Sequence, residues 1–195
     1  IYCSQKIENL REKISSIEKV ILIKEFENFG YKTESYPAKL NSANYFYFKD
    51  LINNTSTDIK FEQVAFDHPV YIMFSSGTTG KPKCIVHGVG GTLLQHFKEL
   101  HLHTDVKRED RIAYYTTCGW MMWNWLISGL QLGASIVLID GNPVYPLNEI
   151  LWKKIENEGI TIFGTSPKYL TSIDKSGLIP KEKFDLSKLK TILST

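Results

Sequence analysis

Near the start of the chain, apolar residues recur at helical spacing: Ile7, Leu10, Ile14 and Ile17, separated by Glu8, Arg11, Glu12 and Lys13. This predicts an amphipathic helix that runs into Val20-Ile21-Leu22-Ile23, a continuous apolar stretch expected as a buried strand. From Glu27 to Asp67 the pattern weakens, because Gly30, Pro37 and the cluster Asn53-Asn54-Thr55-Ser56-Thr57 interrupt it around one short element at 45–52. After His68-Pro69 it sharpens. Val70-Tyr71-Ile72-Met73-Phe74 reads as a strand, a glycine loop follows, and Cys84-Ile85-Val86-His87 resumes strand character. Helices over 91–101, 120–132, 147–158 and 167–175 then alternate with strands over 111–116, 135–139, 160–163 and 189–193.

Alternation of this kind predicts an α/β fold, a mostly parallel sheet flanked by helices, with binding loops at the carboxyl ends of the strands. The chain reaches Thr195 directly after an apolar strand, with no helix to cover it, and is therefore expected to be an incomplete domain over 1–195.

Composition supports one real core: 195 residues, 43% hydrophobic and 12% aromatic, exclude a disordered or fibrous chain. The net charge of +2, from 23 basic and 21 acidic residues spread along the chain, supplies no basic stripe for nucleic acid. The longest apolar stretch, 120–132, is too short for a bilayer and is interrupted by Asn124, Ser128 and Gln131; it is expected as a buried helix, with no membrane partner. Cys3, Cys84 and Cys118 form neither a disulfide framework nor a metal knuckle, and no secretory signal opens the chain, so the expected setting is a reducing cytoplasm.

The most informative segment is Ser75-Ser76-Gly77-Thr78-Thr79-Gly80-Lys81-Pro82-Lys83. Four hydroxyls, two glycines and two lysines in nine residues after a strand are suited to phosphate: glycine lets backbone amides approach an anion, hydroxyls donate, and Lys81 and Lys83 supply charge. It is not a Walker loop, since Pro82 follows Gly80-Lys81, and the dinucleotide glycine pattern fails too. A solvated turn rich in small residues is the plain alternative for a generic cluster of this composition.

The whole nonamer resembles the phosphate-binding signature of adenylate-forming enzymes, the superfamily of acyl-CoA synthetases, luciferases and peptide-synthetase adenylation domains. That resemblance covers about 67–195, the phosphate-loop and acyl-pocket region, and only loosely the leading residues 1–66, and identifies the chain as a piece of an N-terminal AMP-binding domain. It implies that Ser75, Ser76, Gly77, Thr78, Thr79, Gly80, Lys81 and Lys83 hold the phosphates of ATP. It implies ATP, CoA and Mg2+ as cosubstrates and cofactor, with the magnesium ligand, the adenine and ribose contacts and the catalytic lysine beyond Thr195. No catalytic or metal residue is therefore expected within this stretch, which alone should be inactive.

Thr116-Thr117-Cys118-Gly119-Trp120-Met121-Met122-Trp123-Asn124-Trp125 follows a strand and opens an apolar helix. Core packing and a pocket wall fit this pattern equally well. The Gly-Trp-Met-Met-Trp-Asn form is similar to the acyl-CoA synthetases that activate acetoacetate, which implies an acyl-binding role for Gly119, Trp120, Met121, Trp123 and Asn124. Met122 stands where acetyl-CoA synthetases carry a CoA-contacting Thr, which counts against that branch. The alternatives are another short-chain synthetase, for acetate or propionate, or a non-catalytic phosphate-binding module.

Other chemistry is less well supported. His96 and His103 would share a helical face, with His101 off it, yet no carboxylate or cysteine joins them at ligand spacing, so packing or surface roles are expected. Ser76-Gly77 lacks the flanking glycines of a nucleophile elbow, and Cys84 and Cys118 have no local activating partner.

Overall fold

The computed structural model describes residues 4–23, 44–52, 58–75 and 80–195. It divides into two compact units, Ile1–Glu62 and Gln63–Thr195.

In the first unit, helix α1 (Ser4–Lys13) precedes strand β1 (Val20–Leu22), which pairs in parallel with β2 (Tyr45–Tyr47), and helix α2 (Phe48–Ile52) follows. The Tyr45 phenol donates to Glu8, and the Arg11 guanidinium lies 5.3 Å from the centre of the Tyr45 ring, so α1 is pinned to β2. The predicted helix and strand are present but shorter. Only Leu22 of the apolar run is buried, while Ile21 and Ile23 are about half exposed, because two strands of three residues offer one narrow face to bury.

The second unit begins with an antiparallel hairpin, β3 (Pro69–Phe74) and β4 (Cys84–Gly88), in which Met73 pairs with Ile85 and Phe74 with Cys84. Helix α3 (Val89–Lys98) leads into one π-helical turn, Glu99–His103, closed by Thr104 N donating to Glu99 O at 2.9 Å. Then come β5 (Arg111–Tyr114), α4 (Met121–Ile127), a 3-10 turn (Ser128–Leu132) and β6 (Ser135–Ile136). The series ends with α5 (Ile150–Glu158), β7 (Ile162–Thr165), α6 (Pro167–Lys175), a short α7 (Pro180–Lys183) and β8 (Thr191–Ser194).

Strands β6, β5, β7 and β8 lie side by side in that order, all parallel. Their side chains alternate between two cores. Ile112, Tyr114 and Ile162 pack on one side with Leu100, Val106, Met122, Trp125 and Leu126, whereas Ala113 and Phe163 pack on the other with Leu151, Trp152, Ile155, Tyr169 and Ile173. The first set of helical residues comes from the α3 and α4 region and the second from α5 and α6, so helices cover both faces, as a parallel sheet requires. Local signals set the element ends: the Ser166 hydroxyl accepts from Tyr169 N at 3.2 Å ahead of Pro167 at the first turn of α6, and Gly159 closes α5 in the left-handed conformation, φ 60°.

The elements read from sequence are present with different bounds. Strand β6 stops at Ile136, where the apolar run predicts 135–139: after Val137 N donates to Ile112 O the chain turns away, and Gly141 O receives the Tyr115 hydroxyl. The helix expected over 120–132 is α4 plus the 3-10 turn, and it is buried only along Met122, Asn124, Trp125, Leu126 and Gly129, with Trp120, Met121 and Leu130 exposed. No helix among the described residues is long and apolar enough to cross a membrane.

The ends of β5, β7 and β8 opposite the site are tied by one buried carboxylate. Asp110, 1% exposed, accepts from Lys107 N at 2.7 Å, Thr161 Oγ1 at 2.8 Å and Lys190 Nζ at 2.8 Å. Burial pushes its pKa upward, but the hydrogen bonds from Lys190, Lys107 and Thr161 outweigh this and hold it below the ordinary carboxylate value.

Candidate functional site

Two features share the β3–β4 hairpin. The first is the base of the glycine loop: Ser75 N donates to Lys83 O at 2.9 Å and Lys83 N donates to Ser75 Oγ at 3.0 Å, so the loop is clamped where it leaves and rejoins the strands. Ser76, Gly77, Thr78 and Thr79 lie outside the described residues. Beyond them Gly80 has φ 158°, and a Cβ built there would meet nothing within 4 Å. Lys81 and Lys83 are exposed, and neither ammonium pairs with a carboxylate among the described residues. Open backbone beside two uncompensated cations, at a clamped turn, fits an anionic phosphate chain.

The second feature is a cavity of about 660 Å³ in the same unit. Its walls come from β3 and β4 (Tyr71, Met73, Val86, His87), one side of α3 (Thr92, Gln95, His96) continued by Glu99 of the π-helical turn, α4 (Met121, Met122, Asn124, Trp125) and the carboxyl ends of β5 and β8 (Tyr114, Leu193, Ser194). It thus opens at the ends of the parallel strands where α/β folds bind ligands. Met73 lies two residues before Ser75, so a single strand carries both the cavity wall and the loop base.

Of the residues singled out for acyl binding, Met121 and Asn124 line this cavity. Gly119 and Trp120 are exposed, Trp123 is half-buried, and none of the three belongs to the lining. Trp120 stands one ring behind the wall, edge-on to Tyr114 with centroids 6.4 Å apart, and Trp125 meets the same Tyr114 ring edge-on at 6.2 Å. Beneath that ring Gly164 is required, since a Cβ there would lie 2.0 Å from Tyr114 Cδ2.

Asn124 is 7% exposed, and its Nδ2 donates to the Met73 thioether at 3.4 Å. A thioether is a weak acceptor, so this amide keeps donor capacity for a ligand oxygen. The Asn124 main-chain carbonyl accepts the Ser128 hydroxyl at 3.0 Å, and Ser128 Oγ lies 2.8 Å from His96 Nδ1. Burial, together with the charge of His87, pushes His96 below the ordinary histidine value.

The expectation that His96 shares a helical face with His103 fails, because the π-helical turn shifts the phase between them: His96 is buried at the cavity and His103 is exposed. The polar stripe of α3 is a residue set that sequence reasoning misses. Thr92, Gln95, His96 and Glu99 follow one another at helical spacing, the signal that marks one face. Among the described residues no group of three or more His, Cys, Asp or Glu is placed to hold a metal ion.

The strand–glycine loop–strand hairpin and the doubly covered parallel sheet define a class: the chain belongs to the family of AMP-binding enzymes, whose sequence profile matches residues 3–195. Within that class, an acetoacetyl-CoA synthetase of Gallus gallus is 54% identical over 137 residues, 70% of this chain and 20% of that protein. A malonamoyl-CoA synthetase of Penicillium aethiopicum is 42% identical over 151 residues, 70% of this chain and 21% of its own length. A solved structure, acetoacetyl-CoA synthetase from Streptomyces lividans, matches with a TM-score of 0.84 and 37% identity over 98% of this chain and 28% of that one. The matches thus span between 20% and 28% of these relatives.

Proposed function

We propose that the whole protein joins acetoacetate to CoA, with ATP cleaved to AMP and pyrophosphate. A carboxylate oxygen attacks the α-phosphorus of ATP, the bond to pyrophosphate breaks, and the CoA sulfur then displaces AMP from the acyl carbon. The observation that carries the reading is the β3–β4 hairpin: its loop base is suited to phosphates and its strands wall a cavity of about 660 Å³. The similarity to acetoacetyl-CoA synthetases supports the choice of acid.

In this reading Ser75 closes the loop, while Ser76, Gly77, Thr78, Thr79 and Gly80 present amides and hydroxyls, and Lys81 and Lys83 present charge, to the departing pyrophosphate. Magnesium would neutralise further charge on the same phosphates. Asn124 donates to the 3-oxo oxygen of the acid in place of the Met73 sulfur, and Met121, Met122 and Trp125 enclose its carbon chain. Trp120 backs the wall that Tyr114 presents. The exposed thiols of Cys84 and Cys118 suit a reducing compartment such as the cytoplasm.

The test is pyrophosphate exchange into ATP by the full-length protein with acetoacetate, malonamate, butyrate, propionate and acetate. The highest kcat/KM is expected for acetoacetate. A preference for acetate or propionate would assign another short-chain activity, and no exchange with any acid would end the reading.

A further inference from the structure

We infer that His96 is a positioning residue for acid selection: through Ser128 it fixes the turn of α4 that carries Asn124 at the cavity wall. The inference rests on the reading of the cavity as the site of a short 3-oxo acid.

Proton bookkeeping sets the direction of the chain of bonds. The Ser128 hydroxyl has one proton, and the main-chain carbonyl of Asn124, 3.0 Å away, can only accept it. With the hydroxyl proton on that carbonyl, the 2.8 Å contact is completed by the His96 tautomer whose Nδ1–H donates to Ser128 Oγ. His96 is 9% exposed, and the bond lies partly buried at the cavity wall. Where α4 tightens into a 3-10 turn at Ser128, the turn bearing Asn124 is thereby tied sideways to α3.

Such a tie matters because it holds the Asn124 main chain, from which the side-chain amide projects, and that amide makes a weak donor contact to the Met73 sulfur. A hydrogen bond to a substrate oxygen falls off steeply with misalignment, so a small rotation of that turn weakens recognition of the 3-oxo group while leaving the apolar walls in place. His96 itself touches no reacting atom. Its contribution is to discrimination between acids that differ only by that oxygen.

The experiment measures kcat/KM for acetoacetate and butyrate, with the thermal midpoint, in the full-length protein. His96→Leu and Ser128→Ala should each lower the acetoacetate-to-butyrate ratio by about tenfold or more. His96→Asn, whose Nδ2 can stand where Nδ1 stands, should retain most of the ratio. Added to Asn124→Leu, His96→Leu should change the ratio no further, because both act through the same amide. A wild-type ratio in His96→Leu and Ser128→Ala, or an equal fall in the Asn124→Leu background, overturns the positioning role. Should His96→Leu fail to fold, Ser128→Ala decides alone, since it removes one oxygen. A wild-type enzyme with no preference for acetoacetate over butyrate would instead sink the acid assignment, an outcome separate from failure of the His96 role.

Discussion

Ser75 and Lys83 hold each other twice, through Ser75 N to Lys83 O at 2.9 Å and Lys83 N to Ser75 Oγ at 3.0 Å, at the neck of the glycine loop. Ser75→Ala removes the second bond and leaves the first. The expected cost is about 1 kcal/mol, roughly fivefold in kcat/KM for ATP, with the acid's KM little changed. Half-reaction kinetics with ATP varied at saturating acid would measure it; an effect confined to the acid would break the link between loop and phosphate.

Within the loop, Gly77→Val should block backbone approach to the phosphates, and Thr78→Ala should lose a donor, worth about 1–3 kcal/mol. Both losses should fall in adenylate formation. If both variants exchange pyrophosphate normally and fail only at thioester formation, the phosphate role of this loop is wrong.

The ring of Tyr114 depends on Gly164 beneath it and on Trp120 and Trp125 at its edges. Gly164→Ala puts a methyl group into that ring and should destabilise the domain by about 1–3 kcal/mol, seen as a lower urea midpoint. Trp120→Gly should loosen the same wall and raise kcat/KM for hexanoate relative to acetoacetate. An unchanged acid ranking would remove Trp120 from the control of acid size.

Asp110 makes stability depend on pH at the far end of the sheet. Its folded pKa is depressed, so its contribution is fully present above its unfolded value of about 4 and is lost as pH falls through the folded value. Asp110→Asn should cost about 2–3 kcal/mol, below the full range for a broken buried pair because Lys190 is half exposed and water screens it. The difference in thermal midpoint between wild type and Asp110→Asn should be constant above about pH 5 and shrink in acid. A difference that grows in acid would contradict the assignment.

Much of this architecture is legible in the sequence because two periodicities are clean. Ile112-Ala113-Tyr114 and Ile162-Phe163 are apolar on both faces, as a strand covered on both sides requires, and the helices between them carry one apolar stripe each. The hairpin that carries the glycine loop is legible from the strand character on either side of it. The cavity wall on α3 is not, because Leu93, Leu94 and Phe97 sit between Thr92, Gln95, His96 and Glu99, so the helix reads as apolar while its polar stripe faces inward. The three tryptophans of 120–125 mislead in the opposite sense: their size suggests direct lining, yet only Trp125 lines the cavity. A π-helical turn leaves no mark in hydrophobic spacing, which is why spacing alone puts His96 and His103 on one face.

The most direct test of adenylate chemistry follows oxygen. Acetoacetate carrying heavy oxygen in its carboxylate is turned over by the full-length protein with ATP and CoA, and the AMP is analysed by mass spectrometry. Attack of the carboxylate on the α-phosphorus, followed by displacement of AMP by the CoA sulfur, leaves one labelled oxygen on the AMP phosphate. Label in orthophosphate or pyrophosphate, or AMP without label, would contradict an adenylate route for the protein that contains this loop and cavity.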